Sequence, residues 1–362
     1  MPALSSLLRR SGAPAATEPS LMNWLRPRAR PRLSLALQGG GAHGAYTWGV
    51  LDALLEAGRF DLDAVSGTSA GAMNALALAQ GLMDGGADGA RAALQRLWLA
   101  VADQVPFEWC TTDDDGSASL TPVARLMLQW SQYLSPSQLN PLGLNPLREL
   151  LERQIDFERL RRHSPVRLHI AATHANTGRL RLFDTPELSV EAALASTCLP
   201  TLHHAVMIDG EPYWDGGYSA NPALAPLTAA GRADDILIIM LNPLVHVATP
   251  ASATEIRTRA IELAFTAPFL REAGLLGALC AEARQSLLRL GALERRLARL
   301  RWHLIDAQDA LAHLPSETRL IARKAFLERL RDQGRARAQD WLAQHGAAVG
   351  QRGSVDLAGL LG

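Results

Sequence analysis

The stretch Leu33–Gly44, LSLALQGGGAHG, leaves the chain little freedom. Leu33 to Leu37 is short and mostly apolar, as a buried parallel strand would be. Gly39, Gly40 and Gly41 follow in a row, and then Gly44. Beyond Gly44, Tyr46, Val50, Leu51, Leu54 and Leu55 recur at helical spacing up to a stop at Gly58. A strand, a glycine turn and a helix present free backbone N–H groups at a helix N-terminus, where negative charge is favoured. Two anions fit such a corner. Gly39-x-Gly41-x-x-Gly44 has dinucleotide-binding spacing, which implies a phosphate. An acyl-transfer intermediate would offer an oxyanion instead.

The next residues decide between them. Leu62 to Val65 reads as a second short strand, Ser66-Gly67 as a tight turn, and Ala70 to Gln80 as a small-residue helix stopped by Gly81. Gly67-Thr68-Ser69-Ala70-Gly71 is therefore a G-x-S-x-G at a strand-to-helix junction. There a nucleophile stands up from a sharp turn, and flanking glycines relieve crowding. The helix tip at Ala70 favours a developing alkoxide on Ser69. A serine nucleophile needs a base. Tyr213-Trp214-Asp215-Gly216-Gly217 brings a carboxylate out of a strand into a glycine turn. With an ordinary pKa near 4, Asp215 would be a poor base, so the role demands a water-poor site. Among the histidines, His174, His203 and His204 are read as pocket or structural residues. The order Ser69, Asp215, His246 keeps His246 as an alternative triad member. A dinucleotide site would want an acidic ribose ligand at the tip of the second strand. Asp61 and Asp63 stand before that tip, and GTSAG and WDGG would be idle.

Taken together, these motifs resemble one family, the patatin-like phospholipases. Gly39-Gly40-Gly41-Ala42-His43-Gly44 resembles its glycine-rich oxyanion loop, Gly67–Gly71 its nucleophile elbow, and Asp215-Gly216-Gly217 its D-G-A/G motif. Ser196-Thr197-Cys198-Leu199-Pro200 is similar to its S-x-x-x-P segment. The likeness spans residues 33–245. It implies a three-layer α/β/α fold with a mostly parallel sheet, and metal-free hydrolysis of lipid acyl esters by a Ser-Asp dyad. Carried over, Ser69 is the nucleophile, Asp215 the base, and the N–H groups of Gly39, Gly40 and Gly41 the oxyanion hole. His43, Gly44, Gly67, Gly71, Gly216 and Gly217 support these motifs. His43 stands where many members have Arg or Lys, which removes a fixed positive charge from the corner.

The rest of the chain is organised around this region. Residues 1–31 form a basic tail rich in Ala, Pro, Ser and Arg, and 32–250 the catalytic domain. Residues 84–160 break the strand-helix rhythm as a cap-like insertion. Val166–Thr173 with Arg179–Phe183, and Val206–Asp209 with Glu211–Trp214, read as hairpins. Ser189 caps a helix, and Asp235–Leu241 is the last core strand. Thr254 to Ala312 reads as helical throughout, within a helical extension over 251–345 and ahead of a tail over 346–362. No run of 18 apolar residues is present, so no transmembrane helix is expected, and no apolar h-region follows Arg9 and Arg10. The cysteines Cys110, Cys198 and Cys280 lie far apart, which fits a reducing compartment and a cytoplasmic location. The acidic turn Asp113-Asp114-Asp115-Gly116 lacks the ligand ladder of a calcium loop, and no metal or cofactor is expected.

Formal charge is +5 over residues 1–32, −10 over 33–254 and +5 over 255–345. An acidic centre between basic ends suits peripheral contact with an anionic membrane surface; nothing points to nucleic acid. The expectation is a serine acyl hydrolase acting on a phospholipid, lysophospholipid or related ester. Short-chain esters or a storage polyester are alternative substrates, and a lipid- or partner-binding scaffold without turnover is the alternative from another class. Oligomeric state is not legible.

Overall fold

Alternate residues of the first strand enter different cores. In β1 (Arg32–Leu37), Leu33, Leu35 and Leu37 join one apolar cluster and Ala36 joins the other. Opposite faces are the necessary outcome of a pleated strand. The computed structural model describes residues 30–104, 111–114, 117–121, 123, 135–140, 143–229, 231–245, 249–286 and 291–359. After β1 come α1 (Gly44–Ala57), β2 (Asp61–Thr68) and α2 (Ala70–Asp103). A separate hairpin, β3 (Thr111–Asp114) and β4 (Ser117–Leu120), precedes α3 (Pro146–Gln154) and α4 (Phe157–His163). Then follow β5 (Arg167–His174), β6 (Leu180–Asp184), α5 (Val190–Ser196), β7 (Val206–Ile208), β8 (Glu211–Asp215) and β9 (Asp235–Met240). The last elements are α6 (Ala253–Gln285), α7 (Ala292–Arg299), β10 (Arg301–Asp306) and α8 (Lys324–His345).

The sheet order is β10-β9-β1-β2-β5-β8-β7, with β6 also on β5. Strands β10, β9, β1, β2 and β5 pair in parallel, β6 and β8 pair antiparallel with β5, and β7 pairs antiparallel with β8. Helices α1, α2 and α8 close one face over the first cluster, and α6 and α7 close the other. This is the expected α/β sandwich with a mostly parallel sheet. β9 is buried along its whole length, as a strand covered on both faces must be.

Several expectations need correcting. Residues 254–312 are not helical throughout: β10 interrupts them and pairs in parallel with β9. Trp302, His303 and Ile305 are buried there, and an edge strand so charged at its ends does not announce its period. Gly81 does not end α2. It allows the close return of Gly89 and Ala90 after a kink where Gly85 and Gly86 leave helical geometry. Residues 346–359, read as a tail, lie against the sheet: Leu357 is in the second core and Ser354 N–H donates to Trp302 O at 2.9 Å. α6 is long and apolar enough to cross a bilayer by length and composition. Interspersed Arg257, Arg259, Glu262, Arg271 and Glu272 hid this, and Phe269, Ala273, Leu276 and Cys280 bury one face in the second core. The N-terminal tail up to residue 29, the helix expected after Pro122, and His246 lie outside the described residues.

Candidate active site

Sheet register brings the distant motifs together. Thr68 of β2 pairs with Ala171 of β5, and Ala172 pairs with Asp215 of β8. One strand therefore separates the ends that carry Ser69 and Asp215. Leu37 of β1 pairs with Gly67, so the glycine corner begins on the other side of Ser69.

Ser69 links β2 to α2 at φ 54°, ψ −122°, a conformation an L-residue adopts only under constraint. It occupies the N-cap position of α2 but makes no side-chain capping bond. The hydroxyl is thus not used to finish the helix. Its N–H donates to Ser196 Oγ at 3.0 Å, at the end of α5. Crowding explains the flanking glycines. A Cβ at Gly71 would stand 2.2 Å from Leu37 O, and one at Gly67 would stand 2.6 Å from Gly71 O.

Asp215 is fully buried. Its N–H donates to Cys198 O at 2.7 Å, Thr173 Oγ1 donates to its carbonyl at 2.8 Å, and Gly217 N–H donates to Oδ1 at 2.7 Å. Burial pushes its carboxyl up to about 7, against the lowering by hydrogen bonding from Gly217 N–H and the Ser69 hydroxyl. Oδ2 has no bond of full geometry among the described residues. The Ser69 hydroxyl is thus near enough to lower the Asp215 pKa without completing a bond to Oδ2.

The glycine corner is clamped by side chains that the sequence reading did not single out. Gln38 Oε1 accepts Leu241 N–H at 2.6 Å and Asn242 N–H at 2.8 Å, and Gln38 Nε2 donates to Asn221 O at 3.3 Å. Asn221 Oδ1 accepts Gly39 N–H at 2.7 Å. Gly39 thus differs from its expected role, because its amide is already engaged. Gly40 and Gly41 donate to no acceptor among the described residues. Gly44 lies against Ala70 and Trp98, and Gly216 against the Ala171 carbonyl. Gly217 lies against the Phe265 ring of α6, so the C-terminal helices do reach this turn.

His43 is buried. Its Nε2 is 2.8 Å from Thr318 Oγ1, and Phe326 meets its ring edge-on. Burial, with Arg319 nearby, pulls its pKa down to about 3, so the ring is neutral. The other histidines are placed elsewhere. His174 Nε2 contacts Glu211 at 2.8 Å and His204 Nε2 contacts Asn140 O at 3.1 Å, while His203 is half-buried. No histidine hydrogen-bonds Ser69 among the described residues. No cluster of three His, Cys, Asp or Glu suited to a metal occurs among the described residues.

Of the clamping residues, Ser196 had a signal, the S-x-x-x-P segment, and Gln38 had one too, a polar residue ending a buried strand. Asn221 had none. No curated protein matches the chain. Among solved structures it is similar to VipD from Legionella pneumophila at 18% identity, with 87% of this chain and 67% of that chain covered and a TM-score of 0.43. It is also similar to ExoU in the ExoU–SpcU complex from Pseudomonas aeruginosa at 20% identity, with 92% and 75% covered and a TM-score of 0.28. A family model described as patatin-like phospholipase matches residues 35–228, more than half of the chain, from the middle of β1 past the Asp215 turn. On that match the chain belongs to the patatin-like phospholipases, a family of lipid ester hydrolases.

Proposed function

We propose that the protein is a serine acyl hydrolase that cleaves carboxylic esters of phospholipids or lysophospholipids with a Ser69–Asp215 dyad. Asp215 takes the Ser69 proton as Oγ attacks the ester carbonyl. The amides of Gly40 and Gly41 hold the oxyanion that forms. The alcohol leaves with the proton from Asp215, and the same carboxylate then draws a proton from the water that hydrolyses the acyl-enzyme. One oxyanion donor is typically worth about 10²–10³ in turnover. The observation that carries this reading is the pairing of an uncapped, conformationally constrained serine with a fully buried carboxylate whose pKa is lifted to about 7. That value keeps the carboxylate ionised for an appreciable part of the time at neutral pH while making it a far stronger base than a solvated one.

Ser69→Ala is expected to abolish turnover of a p-nitrophenyl ester series and of phospholipid in micelles. A fluorophosphonate is expected to label Ser69 in the wild type alone. Ester turnover that survives Ser69→Ala would end this reading.

A further inference from the structure

One cation reaches the glycine corner from outside the region the family model matches. Arg319 lies in the short turn Ser316–Leu320, between β10 and α8. Its backbone rests on Gly41: a Cβ at Gly41 would stand 2.3 Å from Arg319 O and 3.4 Å from Arg319 Cβ. Its neighbour Thr318 bonds His43, so the turn is fastened to the corner at two points. The guanidinium reaches across to the opposite wall. Nη2 donates to Asn242 Oδ1 at 3.1 Å, just past β9, and pairs with Glu262 Oε1 at 3.3 Å. Glu262 is on α6, three residues before Phe265, whose ring lies on Gly217 beside Asp215. A circuit of contacts thus runs from the proposed oxyanion donors, through Arg319, to the proposed base.

The guanidinium is incompletely satisfied. Nε is buried and has no hydrogen-bond partner among the described residues. Glu262 also serves Arg259 at 3.4 Å, so it does not belong to Arg319 alone. Desolvation opposes the charge of Arg319 more than Glu262 supports it. About a fifth of the side chain (22%) still meets solvent, so the group is not sealed in the core. A largely desolvated guanidinium with an unmade donor gains from a nearby anion, and its planar fork suits phosphate. His43, neutral through burial, supplies no competing charge.

We propose that Arg319 is a specificity-determining cation of this site, and that the preferred substrate is an acyl ester carrying an anionic phosphate close to the scissile bond. This rests on the hydrolytic reading of Ser69 and Asp215. The substrate class is then an anionic phospholipid or lysophospholipid in preference to a neutral glyceride.

The test is the ratio of kcat/KM for phosphatidic acid to that for diacylglycerol of the same acyl chains, both in neutral-detergent micelles. Arg319→Gln is expected to lower this ratio about 10- to 100-fold, the usual effect of losing a charged hydrogen bond. Arg319→Lys, which keeps the charge but not the fork, is expected to retain part of it, and Glu262→Gln to raise it by releasing the cation. A merely structural clamp would move the two neutral variants the same way. A ratio unmoved by Arg319→Gln, or moved alike by Arg319→Gln and Glu262→Gln, overturns the proposal. Calorimetric titration of the Ser69→Ala protein with glycerol 3-phosphate, with and without Arg319→Gln, reads the cation without turnover. Binding weakened about 10-fold or more by Arg319→Gln supports the cation even if hydrolysis fails. Binding that is absent, or indifferent to Arg319→Gln, overturns it independently of the dyad.

Discussion

Asp215 is held where stability and use oppose each other. Its folded-state pKa, about 7, lies above its ordinary 3.8. Between those values the folded chain keeps a proton that the unfolded chain has released, so stability falls as pH rises through the window. A base must be ionised, so activity should rise over the same range. The kcat/KM–pH profile is expected to climb with an inflection near 7; a profile already flat from pH 5 upward would remove Asp215 as the base. Asp215→Asn should lose activity and, on moving from pH 5 to pH 8, gain roughly 2–3 kcal/mol of stability over wild type. Urea unfolding at the two pH values measures that difference. Asn221 answers to a different constraint. Asn221→Ala leaves the buried Gly39 amide unpaired, which should cost about 1–3 kcal/mol and slow turnover by loosening the corner. Chemical unfolding and ester kinetics on one preparation check both. Ser69, Asp215 and the glycines were legible because their constraints are local: a Cβ at Gly71 has no room beside Leu37 O. Asn221 and Arg319 were not, because each acts on the site from more than a hundred residues away.

At the scale of elements, β1, β5 and β9 were readable because two-sided burial forces apolar runs, and α1 because its apolar residues recur at helical spacing. β10 was not. Its sequence, RWHLID, carries charged residues at both ends, and Arg301 and His303 satisfy the buried Asp235 instead of filling an apolar stripe. α8 crosses α1 so closely that a Cβ at Gly334 would stand 2.1 Å from Tyr46 O, and one at Gly49 would stand 1.9 Å from Arg331 O. In an open helix Gly334→Ala would gain about 1 kcal/mol from propensity. Here the collision with backbone, costing about 1–3 kcal/mol or more, decides the sign. Gly334→Ala is therefore expected to lower the urea midpoint, and a raised midpoint would mean that the two helices separate freely.

Across the whole molecule, the uneven charge of the sequence is partly spent internally. Arg335 of α8 pairs with Asp52 and Glu56 of α1, Arg296 with Asp234, and Arg301 with Asp235. The basic C-terminal stretch thus neutralises part of the acidic centre, a use of the asymmetry that no count along the chain can reveal. The hydrogen bond between His43 and Thr318 spans 275 residues of sequence. At ~5–20 residues added per second, the glycine loop waits some tens of seconds for the segment that braces it. A nascent chain that has reached only Asp215 therefore carries both side chains of the proposed dyad well before the segment that braces the glycine corner has been made.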